Sequence, residues 1–386
     1  MFRRRLALVF TALPLAFYAY ACGSDDPAGP APIEDEDGGS VTPPGTEDSG
    51  GTPTTDSGDP KPGDGGDPGD AGDAGEDGGV VVPCTGNPLT NADAGADGGV
   101  VIAFDGGAVK PIAAGGFLDG PQWIGDAIVY SEVTNQVIVR NGPDGGARAV
   151  LRGTGLGNLP IGNGRTGDFI YTALARTTGG GGVLRMLLDG GQPTGFDGGP
   201  ANSPNDLVAS SKGFVYYTDP GFQQSGISTG VFRLAPDGGV TTVTKFDGGL
   251  QQRADGIALT EDESLLYVGF FDTKRIARYA VDANGVASNP QDLAFTPTDN
   301  PTGIAVDVGG NLWIAESAAN DAELRGRVEV IDPTGKKWGE IPFPDARPTG
   351  VAFGGPENRT LYITTERGTL QQGTLYVTTS RCSGVR

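Results

Sequence analysis

From about residue 81 onward the chain alternates short apolar runs with polar breaks. The runs are built of Val, Ile, Leu, Phe and Tyr, and the breaks of Gly, Asn, Asp and Pro. No stretch sustains the 3.6-residue apolar period of an amphipathic helix, so the runs predict strands and an all-β body. Asp-Gly-Gly recurs at 105, 144, 189, 197, 237 and 247. Asp-Gly supports tight hairpins because Gly accepts positive φ.

The pattern repeats. A polar turn leads into an apolar or aromatic strand six times: Gly120-Pro-Gln-Trp123 into Ala127–Glu132, Leu159–Gly162 into Phe169–Tyr171, and Pro204-Asn-Asp206 into Phe214–Asp219. The later copies are Ala254-Asp-Gly256 into Leu265–Val268, Pro301-Thr-Gly303 into Leu312–Glu316, and Pro348-Thr-Gly350 into Leu361–Thr365. The spacing of 43 to 50 residues is that of a four-stranded blade, so six copies predict a six-bladed β-propeller. A sandwich or barrel gives no reason for a sixfold turn signature. The ring must be closed by a strand from the N-terminal side, for which Val100–Phe104 and Val80–Val82 are the candidates.

The front of the chain reads differently. Arg3, Arg4 and Arg5 precede an apolar run from Leu6 to Tyr20, followed by Ala21-Cys22-Gly23. A basic head, a short apolar core and a small residue before the cut predict a signal peptide over 1–21. Cys22 directly after that core resembles a bacterial lipoprotein box and is the candidate lipidation site. Residues 22–80 are Asp, Gly, Pro, Ser and Thr with few large apolar side chains, which predicts a disordered, self-repelling spacer. The propeller is then expected over 81–386, in an exported protein held at a membrane only through its lipid.

Charge and residue counts narrow the chemistry. The formal charge is −21, and an acidic body with an acidic spacer argues against nucleic acid. The chain has no His, which removes the usual base near neutral pH and the commonest transition-metal ligand. Its three Cys form no Cys-x-x-Cys pair, so a structural zinc site is not expected. Cys84 and Cys382 stand at the two ends of the predicted propeller. In an exported protein they are expected to pair, stapling first strand to last.

The turns entering each innermost strand should point at one end of the central channel. The ring they form is Asp119, Ile161 to Asn163, Asn205, Asp255, Thr302 and Thr349. Two carboxylates, an amide and two hydroxyls are oxygen donors suited to Ca2+, Mg2+ or Mn2+; alternatively, Asn, Asp and Thr only cap turns there. The acids after the second strands, Glu132, Asp219, Asp272, Glu316 and Glu366, are expected to accept hydrogen bonds from blade turns. Gly226-Ile-Ser-Thr-Gly230, Gly162–Gly167 and the sequon at Asn358 match familiar motifs without the context those motifs require.

The body resembles the senescence marker protein and gluconolactonase-like family of propellers over about residues 100–380. The resemblance is carried by Asp119-Gly-Pro-Gln-Trp123, Ser203-Pro-Asn-Asp206 with Tyr217-Thr-Asp219, Asp255–Leu259, Pro301–Asp307 with Asn311–Ala315, and Val351–Pro356. It implies a hydrolase for a small lactone or sugar-like substrate, a monomer, and one divalent cation in the channel. Ca2+ is the expected ion, with Mg2+, Mn2+ or Zn2+ as alternatives. By position the cation would be held by Asp119, Asn205 and Asp255, with Asp255 as general base and Thr302 and Thr349 lining the channel. Thr302 stands where the family carries an Asp; Asp299 lies three residues upstream. The other reading is a non-catalytic surface propeller that binds a carbohydrate, peptide or protein.

Overall fold

The computed structural model describes residues 87–89, 100–101, 109–176, 180–192, 201–222, 229–246, 252–318, 323–368 and 372–385. Among them β-strands gather into six sheets arranged as propeller blades. Two strands precede the first blade, β1 (Val100–Val101) and β2 (Lys110–Gly115). Blade one is β3 (Leu118–Trp123), β4 (Ile128–Glu132), β5 (Val137–Asn141) and β6 (Ala149–Gly153). Blade two is β7 (Asn158–Thr166), β8 (Phe169–Arg176) and β9 (Gly182–Leu187), three strands among the described residues. Blade three is β10 (Leu207–Ala209), β11 (Val215–Asp219), β12 (Thr229–Leu234) and β13 (Val240–Phe246). Blade four is β14 (Ala254–Leu259), β15 (Leu265–Phe270), β16 (Arg275–Val281) and β17 (Ala287–Asp292). Blade five is β18 (Asn300–Val306), β19 (Leu312–Ser317), β20 (Gly326–Ile331) and β21 (Lys337–Phe343). Blade six is β22 (Arg347–Gly354), β23 (Thr360–Glu366) and β24 (Gly373–Thr379), completed by β2.

The second strand of each blade is buried on both faces, which is why these runs read as continuously apolar; β4, β11 and β19 are buried at every position. Neighbouring blades pack through large side chains. Trp313 of blade five meets Phe353 of blade six edge to face, with centroids 5.5 Å apart. Such a pair adds a specific contact to the area it buries.

Ring closure departs from the expectation. β2 pairs antiparallel with β24 as the outer strand of blade six. Val100 and Val101 instead pair in parallel with Gly339 and Glu340 on the outer edge of blade five, and Val80–Val82 lies outside the described residues. The reason is connectivity. Each outer strand feeds the next blade's inner strand, and only Gly116 and Phe117 separate β2 from β3. The sequence Lys-Pro-Ile-Ala-Ala-Gly hides this strand because it lacks a β-branched run, and its Pro111 is tolerated only at an edge. The predicted signal peptide, the spacer, Cys22 and Cys84 also lie outside the described residues. Cys382 is buried.

Candidate active site

A β-bulge breaks the pairing at the start of the innermost strand in five blades. The register shifts between Asp119 and Gln122, Pro160 and Asn163, Ala254 and Ile257, Pro301 and Gly303, and Pro348 and Gly350. A bulge re-aims the residues it contains. Here it brings five turns to one ring, and the loop before β10 supplies the sixth.

The ring is too tight for side chains at one position per blade. A Cβ on Gly256 would lie 2.8 Å from the Cα of Gly303, and one on Gly303 would lie 2.8 Å from the Cα of Gly350. A Cβ on Gly120, whose φ is +53°, would lie 2.3 Å from the Ile161 carbonyl oxygen. The equivalent positions are Gly120, Gly162, Asp206, Gly256, Gly303 and Gly350, so blade three alone places a side chain there. It is accommodated because its neighbour gives way: a Cβ on Gly162 would lie 2.7 Å from Asp206 Oδ1.

Three carboxylates therefore converge where the sequence reading expected two. The Gly120 N–H donates to Asp119 Oδ1 at 2.7 Å. The Leu207 N–H donates to Asp206 Oδ1 at 2.9 Å, and the Ile257 N–H to Oδ2 at 3.1 Å. Asp255 is buried and Asp119 and Asp206 half-buried. Burial pushes the Asp119 carboxyl up to about 7; Glu366 adds to this, while Gly120 and the Thr349 hydroxyl oppose it. Burial first, then the charge of Asp119, pushes Asp206 to about 8. Asp255 is raised well above the carboxylate range by burial and then by Asp119 and Asp206, with Arg253 pulling the other way. Asp206 thus senses the charge of Asp119, and Asp255 that of both.

Arg253 is itself held. Its Nε donates to Asp272 Oδ2 at 2.8 Å and its Nη2 to Oδ1. Its guanidinium lies 4.6 Å from the Phe222 ring centroid and 5.2 Å from that of Phe271. Arg253 lowers the Asp255 carboxyl by its charge.

The other expected residues sit as follows. Asn205 is half-buried; its carbonyl accepts from Gly162 N–H at 2.7 Å and its N–H donates to Thr218 at 2.9 Å. Thr302 directs its hydroxyl to the carbonyls of Pro348 (3.0 Å) and Ala315 (3.2 Å). Thr349 donates to the Leu118 carbonyl at 2.6 Å. Asn163 bridges Gly120, Ser131 and Thr172, tying blade one to blade two. Asp299 does not reach the ring: it pairs with Arg325 at 2.9 Å and Arg327 at 3.3 Å. The outer acids act as acceptors, with Asp219 taking the N–H groups of Asn202 and Ser203 and Glu132 pairing with Arg148. The Asn358 side chain is buried and donates to the Gly384 carbonyl at 2.7 Å, which leaves the sequon inaccessible.

Among the described residues, no three Asp, Glu, His or Cys side chains are gathered closely enough to hold a metal by themselves. The chemistry of the donors still suits one. Asp119, Asp206 and Asp255 are hard oxygen ligands that repel one another in a low-dielectric setting, with Arg253 as a counter-charge near Asp255. A hard divalent cation is the partner such a set accepts.

The chain belongs to the SMP-30/Gluconolactonase/LRE-like family, whose profile matches residues 117–367. It is 31% identical over 191 residues to a gluconolactonase from Zymomonas mobilis, covering 44% of this chain and 49% of that protein. It is 32% identical over 168 residues to a pentonolactonase from Haloferax volcanii, covering 42% and 53%. The chain thus spans about half the length of the curated relatives it matches. A solved gluconolactonase from Xanthomonas campestris superposes with a TM-score of 0.55 at 23% identity, covering 70% of this chain and 89% of that one; this likeness concerns the fold.

Proposed function

We propose that this propeller hydrolyses a small lactone or ester in the mouth of its channel with the help of one divalent cation. The observation that carries the reading is the convergence of Asp119, Asp206 and Asp255 on one ring of a family scaffold, each raised above its ordinary pKa by burial first, with Asp119 adding at Asp206 and both of them at Asp255. Asp119 and Asp255 would hold the cation, with Asp206 and Asn205 beside them; Ca2+ fits the all-oxygen set best. A bound cation would supply polarisation of the lactone carbonyl and a lowered pKa for an attached water.

The protein's own groups do the rest. Asp255 accepts a proton from the attacking water as its oxygen bonds to the carbonyl carbon. The carbon–oxygen bond of the ring then breaks, and the leaving alkoxide takes that proton. Lactone and water become one hydroxy acid. A general base must lie within reach of the water it deprotonates, and Asp255 is the buried carboxylate of the ring. The Arg253 guanidinium, stacked on Phe222 and Phe271, supplies a counter-charge near Asp255.

The test is hydrolysis of glucono-δ-lactone and related lactones before and after EDTA, with Ca2+ added back. EDTA should abolish turnover and Ca2+ restore it, and Asp255→Asn should lower kcat by about 10² to 10⁴. Undiminished turnover in EDTA, or in Asp255→Asn, would sink the reading. One observation favours a non-catalytic binding propeller instead. Thr302 commits its hydroxyl to backbone carbonyls, so at this position blade five offers the ring neither a carboxylate nor a free hydroxyl. Absence of turnover with retained lactone binding would select that alternative.

A further inference from the structure

The innermost strands run away from the carboxylate ring to a second opening. There the ends of β3, β7 and β10 surround a cavity of about 530 Å³. Its apolar walls are Trp123 and Phe353, and its polar ones include Gln122, Arg165, Lys212 and Glu261. The size is that of an ordinary small-molecule site. It adjoins the narrower channel cavity that contains Asp206, and the two share Gln122, Arg165, Glu261 and Phe353. Val385 stands between them: its N–H donates to the Val306 carbonyl at 2.9 Å, so the tail is laid across the end of blade five.

Most charges around this cavity are engaged. Asp262 accepts from the Thr260 and Ser264 hydroxyls. Glu263 accepts from the Ser211 N–H. Lys212 reaches the Ala283 carbonyl at 3.3 Å. Arg165 is different. Its Nε is fixed on the Gly167 carbonyl at 3.1 Å, and its Nη1 faces Gly125 on the cavity wall, 3.6 Å from where a Cβ there would stand. Among the described residues no carboxylate lies within ion-pair distance of its two terminal nitrogens. A half-buried guanidinium with a fixed stem and two unused donors is a ready fork for a carboxylate.

Its surroundings select the rest of the ligand. Gln122 donates its amide N–H to the Trp123 carbonyl at 2.9 Å, leaving its oxygen as an acceptor, and Glu261 is a second acceptor. Two acceptors call for hydroxyl donors. The three acids of the lining outnumber Arg165 and Lys212, so a dianion such as phosphate is disfavoured. We infer that the far mouth binds a small hydroxylated monocarboxylate, its carboxylate on Arg165 and its hydroxyls on Gln122 and Glu261. The choice rests in one respect on the proposed reaction: opening a sugar lactone in the same channel makes such an acid.

The test is calorimetric titration of the whole chain with sodium D-gluconate in EDTA, with D-glucose and inorganic phosphate as comparisons. Gluconate should bind wild type and Asp255→Asn alike, and glucose and phosphate should each bind at least about fivefold more weakly. Arg165→Gln should weaken gluconate by about tenfold or more, as expected for loss of a charged hydrogen-bonded pair. Arg165→Lys keeps the charge without the fork and should fall between, which guards against a folding defect in the Gln variant. No gluconate binding by wild type, less than about a fivefold loss in Arg165→Gln, or loss of binding in Asp255→Asn overturns the site. The titration involves no turnover. A protein that binds gluconate through Arg165 but opens no lactone keeps this site and loses the hydrolase; an active one indifferent to Arg165 does the reverse.

Discussion

Asp206 was legible in the sequence, but only through comparison of the repeats with one another. Read against a family pattern, the eye goes to Asn205, its neighbour. Read against the other five copies, the position after each ring residue is Gly, and Asp206 is the exception. The tight ring explains the five glycines, and the sixth position shows where a side chain is wanted. Glu316 was less legible. It reads as one more turn acceptor, and it does accept the Asp299 N–H at 2.8 Å. But it is fully buried beside the buried Glu329, in a cluster where Asp299, Glu316, Glu329 and Glu340 face only Arg325, Arg327 and Lys337. Burial, and then Glu329, raises the Glu316 carboxyl far above its ordinary range, so a proton on it removes the unmatched charge. A carboxyl with a raised folded pKa stabilises fully below its unfolded value of about 4.5 and loses that contribution as pH climbs toward the folded one. Glu316→Gln mimics the protonated form. Its Tm should match wild type near pH 5 and exceed it by several degrees near pH 9, read by thermal melts across that range. A Tm difference independent of pH would show that Glu316 is ionised in the fold.

At the scale of elements, inner strands were legible because their turns repeat, and second strands because they are apolar on both faces. The closing strand β2 was not, since an edge strand needs neither apolar alternation nor β-branched residues. Nor was the role of the last residues. Gly384 bridges to Asp307, its N–H donates to the Asn358 carbonyl at 2.7 Å, and a Cβ on it would come within 2.0 Å of Phe353 Cγ. No flexible group can move to relieve that contact, because Phe353 is wedged against Trp313. Gly384→Ala should cost about 1–3 kcal/mol as overpacking and lower Tm by several degrees. A circular dichroism melt indistinguishable from wild type would mean that the tail does not dock on the channel end.

For the whole molecule, sixfold repetition made the architecture readable and connectivity decided the details. A propeller has no single core; its stability depends on the first and last elements staying joined. Beyond β2 there is a second join. Leu89 forms an antiparallel bridge with Ser380, the Arg381 N–H donates to the Pro88 carbonyl at 2.9 Å, and Leu89 is buried with Val109, Phe343 and Tyr376. Asn87 is therefore docked beside the tail that holds Cys382. Cys84 is three residues further back, a span of at most about 10 Å, so the segment's placement supports the expected pairing with Cys382. A bond between them would constrain the unfolded chain by on the order of 4–5 kcal/mol in the entropy account. A digest under non-reducing conditions should yield one peptide linking 84 to 382, and dithiothreitol should release it and lower Tm. Because β2 and the Leu89 bridge persist without the bond, the reduced protein should still fold, with fraying confined to blade six. Hydrogen exchange would show this as lost protection in β22 to β24 and β2 alone. Loss spread evenly over all six blades would mean that the covalent join, rather than the strand, closes the ring.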